Sequence, residues 1–208
     1  MQTDSFRLDA IVLAAGAGRR FGGRKLLAPF EGRPLVCAAL DAAFGAPART
    51  VVVAVSGDAA LDAAVLDHAR RLGRIEDVRL LVVEDAAEGM GASLSAAVCG
   101  LPPDSSGAFV FLGDMPRVPA QTALALAERF GGEEALIAPR HQGRRGHPVL
   151  FGAAWYPALR ALRGDVGAQA VLKAAGERLD LVDGFDAGVL FDVDLVTDLG
   201  APSRHEGT

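Results

Sequence analysis

Residues 13–25 read Leu-Ala-Ala-Gly-Ala-Gly-Arg-Arg-Phe-Gly-Gly-Arg-Lys, and they follow an apolar run that ends Ile11-Val12-Leu13. No other stretch restricts the fold as much. An apolar strand that empties into a glycine-rich loop is how α/β proteins bring backbone N–H groups against phosphate oxygens. Gly16, Gly18, Gly22 and Gly23 permit positive φ and close approach, and Arg19, Arg20, Arg24 and Lys25 bring charge suited to a triphosphate. The alternative is a basic surface loop. The order of strand, glycines and cations favours phosphate binding. The loop is not a P-loop, because Leu26 follows Lys25 where Ser or Thr is required. Nor is it a dinucleotide fingerprint, because Phe21 stands where the third glycine belongs.

Composition narrows the partners. The chain has 208 residues, half of them hydrophobic and 23% charged, which suits one globular domain with a real core. The formal net charge of −5 argues against wholesale nucleic-acid binding, so the basic residues near the start point to a local anionic ligand. Cys37 and Cys99 lie in Ala/Leu/Val-rich segments at a spacing that fits no zinc or redox motif, and both read as small buried hydrophobes. The first residues lack the basic-then-apolar pattern of a signal peptide, and no apolar run reaches membrane-spanning length. The expectation is a cytoplasmic protein with no membrane contact.

Strand-like runs recur at 9–14, 50–56, 78–84, 107–112, 135–139, 147–151 and 179–183. Between them, helical spacing covers 34–45, 59–72 behind Asp58 as cap, a short segment from Ser93 to Gly100, and 119–130. Strands alternating with helices of this length predict βαβ units and a mostly parallel sheet. Runs such as Thr50-Val51-Val52-Val53 predict strands covered on both faces. A hairpin is expected around the polar loop 140–146, and fraying at 1–6 and 201–208. Ligands of open parallel sheets bind beyond the carboxyl ends of the strands, and each motif below follows a strand.

Asp114 lies in Gly113-Asp114-Met115-Pro116, just past the apolar run 108–112. A carboxylate at a strand end suits Mg²⁺, which takes oxygen donors and keeps substrate phosphates as ligands; a turn residue capping the next helix is the alternative. Asp192 and Asp194 sit two apart on an extended segment, so they point the same way. Either could complete a metal site with Asp114, with Asp194 preferred by position. Asp194 is equally a candidate helix N-cap. Glu88-Gly89-Met90-Gly91-Ala92-Ser93 reads as a glycine loop capped by Ser93, with free N–H groups at a helix start. His147 stands alone in Gly146-His147-Pro148, and a lone histidine is more often structural than catalytic.

Leu-Ala-Ala-Gly-x-x-x-Arg-x-Gly-x-x-Lys resembles the nucleotide-binding signature of the molybdenum cofactor nucleotidyltransferase (MobA/MocA-like) family, near its cytidylyltransferase branch. The resemblance extends to Gly113-Asp114, Gly89-Met90-x-x-Ser93-Leu94, Gly146-His147-Pro148, Gly164-Asp165-x-Gly167-Ala168 and Asp192-x-Asp194, and so spans nearly the whole chain. It implies a single Rossmann-like, doubly wound α/β domain of the nucleotide-diphospho-sugar transferase type. It implies that Lys25 and Arg20 hold phosphates, that Asp114 binds Mg²⁺ with Asp194, and that Leu13, Ala14, Ala15, Gly16, Gly18, Gly22, Ser93, His147 and Asp165 contact nucleotide or acceptor. Ala15 points to cytidine, because the guanylyl branch has glycine there. The sequence departs from the pattern in four places. Gly18 replaces serine, Phe21 replaces methionine, Leu195-Val196 replaces Thr-Pro, and Gln169 replaces an arginine on the acceptor side.

The implied reaction moves CMP from CTP to the terminal phosphate of a molybdopterin-type cofactor and releases pyrophosphate, with a molybdoenzyme or its chaperone as the receiving partner. The acceptor is itself a phosphate, so no Ser-His or Cys-His arrangement is required. Gln169 leaves another phosphate acceptor open. A reductase-like family member and a non-catalytic nucleotide-binding chaperone are the other readings. Lys25 and Asp114 together speak against the chaperone.

Overall fold

The computed structural model describes residues 6–16, 18 and 21–200. The chain runs through β1 (Leu8–Ala14), β2 (Pro29–Phe30), β3 (Arg33–Pro34), α1 (Leu35–Phe44), β4 (Val51–Val55) and α2 (Ala59–Arg71). It continues with β5 (Val78–Val82), α3 (Met90–Cys99), β6 (Gly107–Leu112), α4 (Gln121–Glu128) and β7 (Leu136–His141). Last come β8 (Arg144–Arg145), β9 (Val149–Gly152), α5 (Tyr156–Arg160), α6 (Gln169–Ala175) and β10 (Asp180–Val182), with 3-10 turns between.

The main sheet has the order β10-β7-β9-β6-β1-β4-β5, with β8 pairing off β7. β1 lies between β4 and β6 and runs parallel to both. β9 runs antiparallel to its neighbours β6 and β7, and β8 runs antiparallel to β7. The fold is therefore a Rossmann-like, mostly parallel α/β sheet. Successive residues of β1 serve opposite faces. Ala10, Val12 and Ala14 join a core with Leu35, Leu40, Val65 and Leu126 of α1, α2 and α4. Ile11 joins a second core with Leu94, Val98, Leu159 and Leu172 of α3, α5 and α6. Period-two alternation between two apolar layers explains why β1 reads as a continuous apolar run.

Register then places the functional loops. Ala14 lies beside Val55 and Leu13 beside Leu112, so β1, β4 and β6 end level with one another. The loops beginning at Ala15, Ser56 and Gly113 emerge together at the carboxyl edge of the sheet.

Three sequence expectations change, at the start of α3, at Cys99 and at Phe6, and a fourth gains detail. α3 starts at Met90, not Ser93, because Gly89 takes φ 121° and turns the chain into the helix three residues earlier. The hairpin expected around 140–146 is present, with β7 and β9 paired antiparallel across it, and within it β7 runs through His141 and returns as β8 across Gln142 and Gly143, both at positive φ (48° and 77°), the backbone of a primed two-residue turn. Cys99, the last residue of α3, is exposed, whereas Cys37 is buried, and both are free thiols. Phe6 is held, with its ring edge-on to Phe130 at 5.0 Å. The expected fraying at 1–5 and 201–208 lies outside the described residues.

Candidate active site

The glycine loop is shaped around Lys25. The Gly18 carbonyl accepts from the N–H groups of Phe21 (2.9 Å) and Gly23 (3.2 Å), which curls the loop back on itself. Gly18 has φ 55°, and a Cβ there would come within 2.9 Å of the Lys25 Cβ. The serine that the resemblance would place here would press on the Lys25 stem. Lys25 opens a 3-10 turn, Lys25–Leu27, whose Leu26 is buried in the α1/α2 core. The lysine stem is thereby anchored and its ammonium aimed at β6. Gly113 donates to the Leu13 carbonyl at 2.9 Å, and a Cβ at Gly113 would approach that oxygen to 3.0 Å. The tight passage delivers Asp114 to the same point.

Lys25 Nζ lies 2.6 Å from Asp114 Oδ2 and 3.8 Å from Asp194 Oδ1. The Lys25 side chain is 12% exposed, against 26% for Asp114 and 53% for Asp194. Val193 is buried and its N–H donates to the Asp114 carbonyl at 3.0 Å, which pins the 191–194 segment beside β6. Asp194 is not a helix cap. Asp198 Oδ2 accepts from the N–H groups of Asp194 (2.9 Å) and Leu195 (2.7 Å), which leaves the Asp194 carboxylate to Lys25. Asp192 belongs to the same acidic neighbourhood: burial first, then the charges of Asp194 and Asp114, raise its carboxyl above the ordinary range. Asp114 is not a helix cap either, since α4 starts at Gln121 after Ala120.

A cavity of about 340 Å³ opens beside this cluster. Leu13, Ala15, Gly16, Gly18, Lys25, Ser93, Asp114 and Asp165 are on its wall. Gly89 and Met90 of the Gly89-Met90 motif line it too, as do Leu26, Ala86, Ala87 and Leu112, which the sequence had not singled out. The Ala86-Ala87 pair directly precedes the Gly89 loop and was the available signal. The cavity thus has a charged pole at Lys25 and Asp114 and an apolar side at Ala86, Ala87 and Met90.

α3 carries no side-chain cap, so its first N–H groups are left for other acceptors at the cavity edge. Ser93 does not cap it; its hydroxyl donates back to the Gly89 carbonyl at 3.2 Å. The 3-10 turn Gly164–Val166 crosses this helix end, and a Cβ on Gly89 would lie 2.0 Å from Asp165 Oδ1. Asp165 therefore meets the positive end of α3.

Other candidates stand elsewhere. Ala14 lines a smaller neighbouring cavity, and Gly22 is exposed on the outside of the loop at φ 88°. His147 does not line the large cavity. Its Nδ1 is enclosed without a hydrogen-bond partner among the described residues, and its backbone N–H donates to the Val189 carbonyl at 2.9 Å. Burial, helped by the nearby Arg145 charge and opposed by a hydrogen bond to the Val110 backbone, lowers its pKa to about 4. It is a neutral packed imidazole at pH 7. Gln169 is exposed at the start of α6. Arg20 lies outside the described residues.

The donor set fits a hard cation. Two carboxylates already meet at one ammonium, so they converge on one positive charge. Among the described residues no group of three or more His, Cys, Asp or Glu forms a metal cage. Mg²⁺ needs only one or two carboxylates when substrate phosphates complete its shell. No helix among the described residues is long and apolar enough to cross a membrane.

Comparison with known proteins agrees with this geometry. PucB of Bacillus subtilis, a purine catabolism protein, is 28% identical over 90% of this chain and 91% of its own length. The bifunctional protein GlmU of Mycolicibacterium vanbaalenii is 33% identical over 60% of this chain, and the match spans 26% of GlmU. The crystal structure of Rv0371c from Mycobacterium tuberculosis superposes with a TM-score of 0.75 at 27% identity, covering 94% of this chain and 96% of that one. Its manganese complex superposes at 0.71, with 27% identity over 92% and 95% of the two chains. The description MobA-like NTP transferase domain matches residues 10–180, which include the glycine loop, Asp114 and Asp165. With loop, acids and cavity gathered at the strand ends as this fold requires, the chain belongs to the family of MobA-like NTP transferases.

Proposed function

We propose that this protein is a cytoplasmic CTP:molybdopterin-cofactor cytidylyltransferase. The observation that carries the reading is Lys25 held between Asp114 and Asp194 on the wall of a cavity that is charged at one pole and apolar along one side. The apolar side suits a nucleoside and the charged pole a triphosphate. An oxygen of the acceptor phosphate forms the new bond to the α-phosphorus. The bond from that phosphorus to the bridging β-oxygen breaks, and pyrophosphate carries the electron pair away. The attacking oxygen is already anionic, so no side chain has to remove a proton. The task of the protein is charge neutralisation and in-line placement.

Lys25 moves its charge from Asp114 onto the phosphates, and Arg20 joins it from the same loop. Mg²⁺ held by Asp114 and Asp194 would offset the charge of the triphosphate and of the transition state. Neutral His147 serves packing near the acceptor side. Ala15 is buried on the cavity wall, where its methyl favours cytosine over a purine.

A second reading keeps the transfer and changes the acceptor. Gln169 favours it, because an exposed amide stands where an arginine would attract a phosphorylated acceptor. One experiment separates the two: pyrophosphate release with each of the four nucleoside triphosphates, with and without molybdenum-loaded cofactor. Cofactor-dependent release from CTP is expected. Ala15→Gly should narrow the preference for CTP over GTP only in part, since one methyl is worth roughly 1–3 kcal/mol of discrimination. Equal use of CTP and GTP by the wild type refutes the cytidine assignment. Release from CTP with other phosphate acceptors and not with the cofactor supports the second reading. No release from any triphosphate with any acceptor overturns both.

A further inference from the structure

Two arginines stand side by side on the β7–β8 hairpin, and only one has an acid. Arg140 lies opposite Arg145 in the antiparallel register, so both side chains leave the same face. Asp183 Oδ1 accepts from Arg140 Nε at 2.7 Å, and Asp183 Oδ2 accepts from Arg140 Nη2. Arg145 makes no ion pair among the described residues, and its Nη1 is enclosed without a hydrogen-bond partner. Burial alone, with no acid to offset it, lowers its pKa. A guanidinium keeps its charge in proteins, so the fold holds a half-buried cation with no anion beside it. Buried charges that serve stability are paired.

His147, two residues on, adds a second unpartnered atom. Its Nδ1 has no partner, so its hydrogen bond to the Val110 backbone uses the other ring nitrogen. Arg145 is close enough for its charge to act on that ring.

Alternation along β7 places the pair. Ala138 faces the second core, with Leu94 of α3 and Leu172 of α6. Arg140 shares that side of β7, and Arg145 shares it with Arg140. The large cavity opens on the same face, where Leu13 packs on that core and Met90 starts α3. Arg145 and His147 stand off the cavity wall, and the segment 187–194 bridges the gap. At one end the Val189 carbonyl accepts from the His147 N–H at 2.9 Å; at the other the Val193 N–H donates to the Asp114 carbonyl at 3.0 Å.

We propose that Arg145, with His147 beside it, forms an oxyanion subsite for the acceptor, and that it supplies from the hairpin the cation that Gln169 does not supply from α6. The nucleotidyl-transfer reading underlies only the naming of this ligand as the acceptor. The oxyanion is either the reacting phosphate or a second acidic group of the same molecule. In both cases the planar donors of Arg145 meet its oxygens, and an O–H or a bridging water on it satisfies Nδ1.

Arg145→Met keeps the length of the stem and removes the charge. In buffer free of phosphate and sulfate its melting temperature should rise by about 2–4 °C, because an unpaired buried charge is gone. Inorganic phosphate, added after a non-transferable CTP analogue has filled the nucleotide site, should raise the melting temperature of the wild type and not of Arg145→Met. Arg144→Met, which removes the exposed neighbour, should keep the wild-type response. In transfer from CTP, Arg145→Met should raise KM for the molybdenum-loaded cofactor roughly tenfold, the scale of one charge-assisted hydrogen bond, and leave KM for CTP unchanged. A fall in kcat as well identifies the reacting phosphate; an unchanged kcat identifies a second acidic group. A lower melting temperature for Arg145→Met makes the guanidinium structural and overturns the proposal. So does a wild type indifferent to phosphate, or a phosphate response that Arg145→Met retains or Arg144→Met also loses. An unchanged KM for the cofactor overturns the assignment to the acceptor. A wild type that transfers to no acceptor overturns the functional reading, and the melting temperatures then still decide whether Arg145 holds an anion.

Discussion

The central strand β1 carries a charge cluster at each end, and the two are built differently. At its start, Asp9 is fully buried and accepts from Arg49 Nη2 at 3.0 Å. Arg49 also reaches Asp104 (3.1 Å), which Arg7 holds from another side at 2.8 Å. Two carboxylates meet two arginines there. Past the end of β1, Asp114 and Asp194 meet one ammonium, that of Lys25, beside an open cavity. The first cluster is balanced in charge and lines none of the cavities described above, and the buried Asp9 keeps one oxygen, Oδ1, without a hydrogen-bond partner among the described residues. In the second, carboxylates outnumber the one ammonium that they meet, so it has capacity for a cation that arrives with phosphates. The same ion-pair chemistry serves stability at one end and ligand binding at the other, and charge balance with access to a cavity decides which.

Four outcomes break or sharpen that contrast, and the largest comes from the open cluster. Asp114→Asn should lower Mg²⁺-dependent transfer by at least about a thousandfold, the loss expected when charge stabilisation at the reacting phosphate goes. Its melting temperature should barely move, because the amide oxygen can still accept from Lys25. Wild-type turnover in this variant would erase the distinction between the ends. Arg49→Ala reverses the pattern. It leaves Asp9 buried without a cation and should cost about 3 kcal/mol by denaturant titration, with kcat retained. If kcat fell with stability untouched, the balanced cluster would belong to the site.

The third outcome depends on pH. His147 is held near pKa 4 in the fold, against an ordinary 6.5. Between those values the unfolded chain binds more protons, so stability falls as pH drops from about 6.5 towards 4. The loss reaches at most about 3 kcal/mol, and His147→Gln should flatten that slope. At lower pH the balanced cluster weakens too: hydrogen bonds from Arg49 and Arg7 hold the Asp104 carboxyl below its usual range, so its contribution is present at neutral pH and lost as pH falls below the ordinary carboxylate range. The smallest effect is Lys25→Ala, expected to reduce kcat/KM for the nucleotide by at least tenfold, or about 1.4 kcal/mol. Unchanged kinetics would make the glycine loop a surface turn.

Most of the sheet was legible in the sequence. β1, β4 and β6 are covered on both faces, so they read as unbroken apolar runs with loops at their ends. The contacts that join those ends were harder to see. Asp194 reads equally well as a cap until the Asp198 carboxylate is seen to accept from its backbone. The start of α3 is set at Gly89 by the close approach of Asp165, far along the chain. Asp9 sits within an apolar run and gives no sign that Arg49 will bury it. His147 matched a motif, yet it is half-buried away from the wall of the large cavity. Local pattern reports which face of an element is apolar; it does not report which distant side chain will meet that element.

The most direct test of the account is a crystal structure with Mg²⁺ and a non-transferable CTP analogue. The account predicts a cation bonded to carboxylate oxygens of Asp114 and Asp194 at about 2.0–2.1 Å. It places the α-phosphate beside Lys25 and the base on the Ala86–Met90 side. A nucleotide bound elsewhere, or a cation in the cavity that does not touch Asp114, would contradict it.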